Sequence, residues 1–292
     1  MNLILPLIFA TLVGFSPQEA TRQIYPADFV KARPTKKGPP ATSKPAYVSS
    51  ATKKAAPPAK PAGDVEQLGL TIWRLRSSKN TDSGARIIIQ QQEQTIELTP
   101  ERVPSGASFN ESDKIRFTFE SPRNGYLYVI DRETYADGTL GDPYLIFPTT
   151  RTREGDNQVK AGKLVEIPAQ EDRPNYFTLA FSRKDQTGEL LTVIVTPNPI
   201  DEISIGEKAI KLAPGQVEKW EKSWGSKTEK FDLLGGAGRQ WTPAEQAAGA
   251  DGTRQLSQDD PGPQTIYRVA VKPGDPILVN VGLNYRKIVK KR

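Results

Sequence analysis

The 292-residue sequence contains no histidine, no cysteine and a single methionine. The first two absences remove most familiar reaction centres. A Ser–His pair cannot form, and no thiolate is available as a nucleophile. Zinc sites built on His or Cys are excluded, as are disulfides. Chemistry is left to carboxylates, lysines, hydroxyls and phenols. The missing disulfides do not argue against export, because a chain of this length can bury a stabilising core without them.

Long apolar runs are scarce as well. The stretch from Leu3 to Phe15 is nearly continuous, yet short for a membrane span; it has the length of a secretory signal core. No Lys or Arg precedes it. Ala20 offers a cleavage point, although Gln18 is a poor residue two places before it. Residues 1–20 are expected to be a signal peptide, with an uncleaved membrane anchor as the alternative. The expected location is periplasmic or extracellular. No cysteine follows the run, so a bacterial-type lipid anchor is excluded.

Bulky apolar residues are also few in residues 31–63, where Pro, Ala, Lys, Ser and Thr dominate and Tyr47 and Val48 are almost the exceptions. Such a stretch cannot offset its ordering entropy. Residues 21–65 are expected to form a disordered linker biased to polyproline II. Residues 21–63 hold nine Lys or Arg against Asp28 alone, a net of +8, and the tail from Arg286 adds five more. The whole chain is only +6, so residues 64–285 carry about −6. A nucleic-acid-binding domain needs its basic residues on a folded face; here they sit at the ends, and no nucleic acid partner is expected. The linker could make weak contact with an anionic surface, though it reads more simply as a solvated tether.

From Leu70 onward the pattern is β. Residues Leu70 to Arg76 alternate, Arg86 to Gln90 is a β-branched run, and Ile115, Phe117 and Phe119 share one face of a strand. Gly125 to Asp131 follows a Pro122, Asn124-Gly125 turn, which predicts a hairpin with the preceding strand. Further strands are expected at Tyr144–Phe147, Leu164–Ile167, Tyr176–Ser182, Leu190–Thr196, Thr265–Val271 and Ile277–Tyr285, with the last two again a hairpin. Pro148, Pro168 and Pro197 mark strand ends. Helices are expected at Gln216–Trp224 and after the capping box Thr242-Pro243-Ala244-Glu245. The fold expected is all-β: an antiparallel β-sandwich, Ig-like or related, over residues 66–286. A short helical and irregular insertion occupies residues 201–262, and residues 287–292 form a basic tail.

Between Phe109 and Pro199 several elements occur in order: Ser112-Asp113-Lys114, Gly125 to Val129, Leu145-Ile146-Phe147-Pro148, Ala161-Gly162-Lys163 and Ile167-Pro168. This stretch, under a third of the chain, resembles the bacterial family called domain of unknown function 4384. The resemblance implies a small β-rich module, found alone behind export signals or appended to other modules, and carries no catalytic residues over. Residues Arg132–Pro143 form a longer connection than the family's short turn.

That connection holds the main candidate site. Asp131, Glu133, Asp137 and Asp142 fall within twelve residues, a spacing that could supply oxygen ligands to calcium. Ala136 occupies the place where an EF-hand needs glycine, and Asp137-Gly138 is ordinary turn chemistry. A glycosidase pair would need two of these carboxylates across a cleft. Asp131, Tyr135, Asp137, Asp142 and Tyr144 are taken as a candidate binding surface. The aromatic residues Trp73, Tyr126, Tyr128, Tyr135, Tyr144, Trp220, Trp224 and Trp241 could stack on sugars if exposed; packing is the favoured reading, with Trp220 and Trp224 anchoring a helix to a sheet. Gly235-Gly236-Ala237-Gly238 lacks a Walker lysine and reads as a turn. No catalytic, metal or cofactor residue is assigned. The function expected is an exported, non-catalytic β-sandwich that binds a protein partner or an envelope polymer. The alternative is a calcium-dependent carbohydrate binder or a carboxylate-dependent hydrolase using the Asp131–Asp142 loop.

Overall fold

A computed structural model describes residues 24–26, 28–31, 33–34, 46–49, 65–82, 84–91, 94–252 and 254–286. The expected signal peptide, most of the linker and the basic tail lie outside the described residues. In chain order the elements are β1 (Ile24–Pro26), α1 (Asp28–Lys31), β2 (Ala46–Ser49), β3 (Val65–Ser77), β4 (Ile87–Gln91), β5 (Gln94–Val103), β6 (Ser108–Phe109), β7 (Lys114–Glu120), β8 (Gly125–Tyr135) and β9 (Tyr144–Phe147). Then come β10 (Gln158–Val159), β11 (Leu164–Ile167), β12 (Phe177–Thr178), β13 (Gln186–Thr196), β14 (Ile210–Lys211), α2 (Gln216–Trp224), β15 (Thr228–Leu233), α3 (Pro243–Asp251), β16 (Thr265–Ala270) and β17 (Ile277–Tyr285).

These strands form two sheets packed as a sandwich. The first is built on β3. One edge of β3 is shared, its first half pairing with β16 and its second half with β5, while β7 runs along the other edge. Beyond β16 come β15, β2 and β1; beyond β5 comes β4; β11 and β12 both extend β7. The second sheet runs β14-β9-β8-β13-β17-β6, with β10 against the start of β8. Its pairs are antiparallel except β17 with β6.

The main core lies between the sheets. Leu68, Leu70, Ile72, Phe117 and Phe119 face Leu127, Val129, Val193, Val195, Val279 and Val281. Each such side chain contributes ~1.5–3 kcal/mol relative to exposure. Two outer layers complete the molecule. Helix α2 lays Val217 and Trp220 on Tyr128, Ile130, Ile194 and Leu278, on the far face of the second sheet. On the far face of the first sheet, Trp241 packs with Trp73, Leu75, Ile87, Ile89 and Leu98.

Both expected hairpins are corrected. β7 and β8 belong to different sheets, and so do β16 and β17. The turn chemistry at residues 121–124 is real, with Ser121 Oγ donating to the Arg123 carbonyl at 2.6 Å, but it carries the chain across the sandwich. Both flanking strands carry an apolar face, and crossing lets those faces meet instead of lying side by side. Gly125 is where the crossing lands: a Cβ there would sit 2.3 Å from the Thr196 carbonyl oxygen.

The linker expectation is corrected where it overlaps described residues. β1, α1 and β2 fall within residues 21–65, and β2 pairs with β15. Phe29, Val30 and Tyr47 are buried with Phe231 and Ile266. A few apolar residues suffice because they dock on an already formed sheet. The insertion at residues 201–262 is corrected too: β14 and β15 are members of the two sheets.

Candidate functional site

The acidic connection does not converge. Along β8, Asp131 and Glu133 point to the interior, in line with Val129, at one end of the sandwich. Asp137 accepts from the Thr139 N–H at 2.9 Å and its hydroxyl at 2.7 Å; these bonds hold its carboxyl below the usual range. Asp142 faces outward and pairs with Lys211 Nζ at 2.5 Å. Tyr144 is 42% exposed on β9. Tyr135 is buried, donating to Glu133, with the Arg183 guanidinium 3.9 Å over its ring. Among the described residues no group of three or more carboxylates is placed to hold a metal ion. The five residues taken as one binding surface are therefore split between an interior end and separate outward positions.

Asp131 does meet partners that sequence reasoning missed. Glu189 lies opposite Glu133 on β13, and Asp131 lies opposite Leu191, so Asp131 and Glu189 are diagonal neighbours on one face. A bulge between Gln186 and Gly188 precedes them. Gly188 admits the Leu283 carbonyl of β17, which a Cβ would meet at 2.0 Å. Tyr285, at the end of β17, donates to Glu189 Oε1 at 2.5 Å, and Gln186 Nε2 donates to the same oxygen at 2.9 Å. Phe181 stacks on Tyr285 at 4.4 Å. The remaining oxygens, Asp131 Oδ1 and Glu189 Oε2, are buried without a donor. They satisfy each other when one carboxyl keeps its proton. Burial pushes Glu189 up to about 8, reinforced by the Asp131 charge. Burial likewise pushes Asp131 up to about 6, with Glu133 adding to the shift. The Tyr285 phenol is also raised, by burial and then by Glu189. The arrangement sets two carboxyls side by side at one end of the core, where burial favours their protonated forms.

A second concentration of charge lies on the far face of the first sheet. Register places Arg116, Thr118 and Glu120 of β7 on the same side as Thr71 and Trp73 of β3, opposite the core. In a bare sheet they would be solvated. Here the chain from Gly238 to Pro263, with α3, lies over them. Their charges are met by Arg33–Glu120, Arg116–Glu166 at 3.1 Å and Arg102–Glu245. Glu245 serves twice: it closes the capping box with Thr242, accepting its N–H at 2.7 Å, and holds Arg102. The guanidinium groups of Arg102 and Arg116 lie 5.2 Å over Trp73 and 5.5 Å over Trp241, and the two indoles meet edge to face at 6.1 Å. Burial pushes the Glu120 and Glu166 carboxyls up, opposed by Arg33 and Arg116. The cavity left among these side chains is about 20 Å³, enough for one water and no larger ligand.

The larger concave surface lies where α2 ends against β17. It is a groove of about 450 Å³ lined by Glu221, Gly225, Ser226, Thr228, Leu278 and Asn280. The helix reaching it is the one read from sequence. Trp220 and Trp224 stack at 5.7 Å and anchor it, while Arg132, buried on β8, pairs with Glu221 at 2.5 Å and Glu218 at 3.4 Å. No sequence pattern singled out Arg132, Glu221 or Asn280, because they come together only through the packing of α2 on the sheet.

These features define a β-sandwich with buried ionic clusters and a polar surface groove. No family model, curated protein or solved structure matches the chain. Among the described residues, no helix is long and apolar enough to cross a membrane.

Proposed function

We propose that this chain is an exported, non-catalytic β-sandwich module that binds an envelope polymer or a protein partner outside the cytoplasm. One observation carries the reading: the four carboxyls that burial pushes up, Glu120, Asp131, Glu166 and Glu189, are engaged with one another or with arginines, away from the open groove. Asp131 and Glu189 serve each other, Glu120 serves Arg33, and Glu166 serves Arg116. A carboxylate acid–base pair acts on a substrate it can touch, whereas the groove offers fixed hydrogen-bonding groups, which suit recognition. The apolar run at residues 3–15 and the resemblance of residues 109–199 to domain of unknown function 4384 belong to the same proposal. The test is twofold. Crosslinking of the full chain in its own cells, followed by capture, is expected to recover an envelope component. Hydrolase assays on the purified chain are expected to give no turnover; hydrolysis lost on Asp131→Asn or Glu189→Gln would replace this reading with the enzymatic one.

A further inference from the structure

We infer that the groove between the end of α2 and β17 binds a neutral saccharide, an inference that rests on the binding-module reading and names its ligand class. The depression, about 450 Å³, is open to solvent, so it suits one face of a ligand and not a fully enclosed one. Its floor is Leu278, buried from β17, and its walls are polar.

The polar groups are held before any ligand arrives. Glu221 Oε1 accepts from Arg132 Nη2 at 2.5 Å and from Asn280 Nδ2 at 3.0 Å, which leaves Oε2 to accept from a ligand. Thr192 Oγ1 donates to Asn280 Oδ1 at 2.9 Å, fixing the amide so that Nδ2 faces Glu221 and keeps a second N–H. Ser226 and Thr228 also line it, and the Thr228 hydroxyl donates to the Ser226 carbonyl at 3.3 Å. A planar carboxylate and a planar amide, both oriented from behind, lower the ordering cost of recognition.

The mixture of donors and acceptors selects hydroxyl groups, each of which gives one hydrogen bond and takes others. Charge selects against anions. Arg132 is 1% exposed at its side chain and faces two carboxylates, Glu218 and Glu221. No Lys or Arg is among the lining residues. Within the lining itself the formal charge is the Glu221 carboxylate, which an acidic polymer would face directly; Lys222 and Lys227 flank it in the chain.

The probe is an array of neutral hexose and N-acetylhexosamine oligosaccharides, with polygalacturonate fragments as the anionic comparison, tested against the full chain. Neutral glycans are expected to bind and the anionic ones not. Asn280→Ala is expected to weaken binding about tenfold, as for one lost hydrogen bond on a fixed group. Ser226→Trp, at an exposed position, is expected to fill the groove and abolish binding with the melting temperature unchanged. The site is overturned if no neutral glycan binds, if binding survives Ser226→Trp, or if anionic fragments bind equally. In that event, capture of a protein partner by crosslinking in cells leaves the module reading standing.

Discussion

The enclosed carboxyl pair makes a prediction that can be worked through. Glu189 is 8% exposed, and its pKa is pushed up to about 8 by burial and the Asp131 charge. In the unfolded chain its ordinary value is 4.5. A raised acid holds its proton longer in the folded state, so folding takes up a proton between these two values. The stabilising effect is fully present below pH 4.5, falls as pH rises, and is lost above about 8. At ~1.4 kcal/mol per tenfold change in proton activity, the upper bound is ~5 kcal/mol. Partial solvation and relaxation of the site reduce this to roughly 2 kcal/mol. Glu189→Gln should relieve it. The introduced amide can accept from Tyr285 as Glu189 Oε1 does, and can donate to Asp131 Oδ1 without needing a proton. At pH 9 the variant should be more stable than the parent by roughly 2 kcal/mol, which is about 4–8 °C for a body of this size. At pH 5 the two should nearly coincide. The assay is thermal and urea unfolding of both full-length proteins at the two pH values. The reasoning fails if the variant gains nothing at pH 9, or if it gains equally at both.

Four further outcomes are expected. Arg116→Met should cost ~3–5 kcal/mol in urea unfolding, because Glu166 is left charged and buried; Arg116→Met combined with Glu166→Leu should recover most of that loss. Recovery failing in the double variant would show that packing against Trp241, and not the stranded charge, sets the cost. Gly125→Ala should destabilise by ~2 kcal/mol or more, since its methyl meets the Thr196 carbonyl; unchanged thermal unfolding would contradict the described crossing between sheets. Thr242→Ala should cost ~1 kcal/mol by removing the cap of α3, measurable as a melting shift of a few degrees. Calcium should leave the melting temperature unchanged, because Asp131, Asp137 and Asp142 do not converge; a calcium-dependent rise abolished by Asp137→Ala would restore the metal reading.

The legible parts of the fold are those where the chain's own period is unambiguous. Tyr144–Phe147, Leu164–Ile167 and Ile277–Tyr285 are strands with the expected bounds, and Gln216–Trp224 is a helix with the expected bounds. Each has a strong local pattern and a sharp stop. β5 is not among the expected strands, and its Pro100 interrupts the local strand pattern. It is tolerated because its carbonyl, and not a missing N–H, meets the Trp241 N–H at 3.1 Å. β15 and β2 carry few apolar residues and are strands because neighbours offer them an edge. The candidate site was half legible. Asp131 and Tyr135 are in the polar end of the core, while Glu189 and Tyr285, which complete it, lie 58 and 154 residues away from Asp131 in the chain.

The sequence by itself determined the β class, the two helices with the Thr242 cap, and the exclusion of thiol, imidazole and disulfide chemistry, because these depend on residue type and short-range period. Tertiary structure alone decided which strands share a sheet, and that Arg116, Glu120 and Glu166 are buried although alternation marks them as the polar face. The physical reason is that alternation separates two faces of a strand without saying what covers the second one. A segment arriving from roughly 70 to 150 residues further along the chain makes that face an interior, and its charges must then be paired.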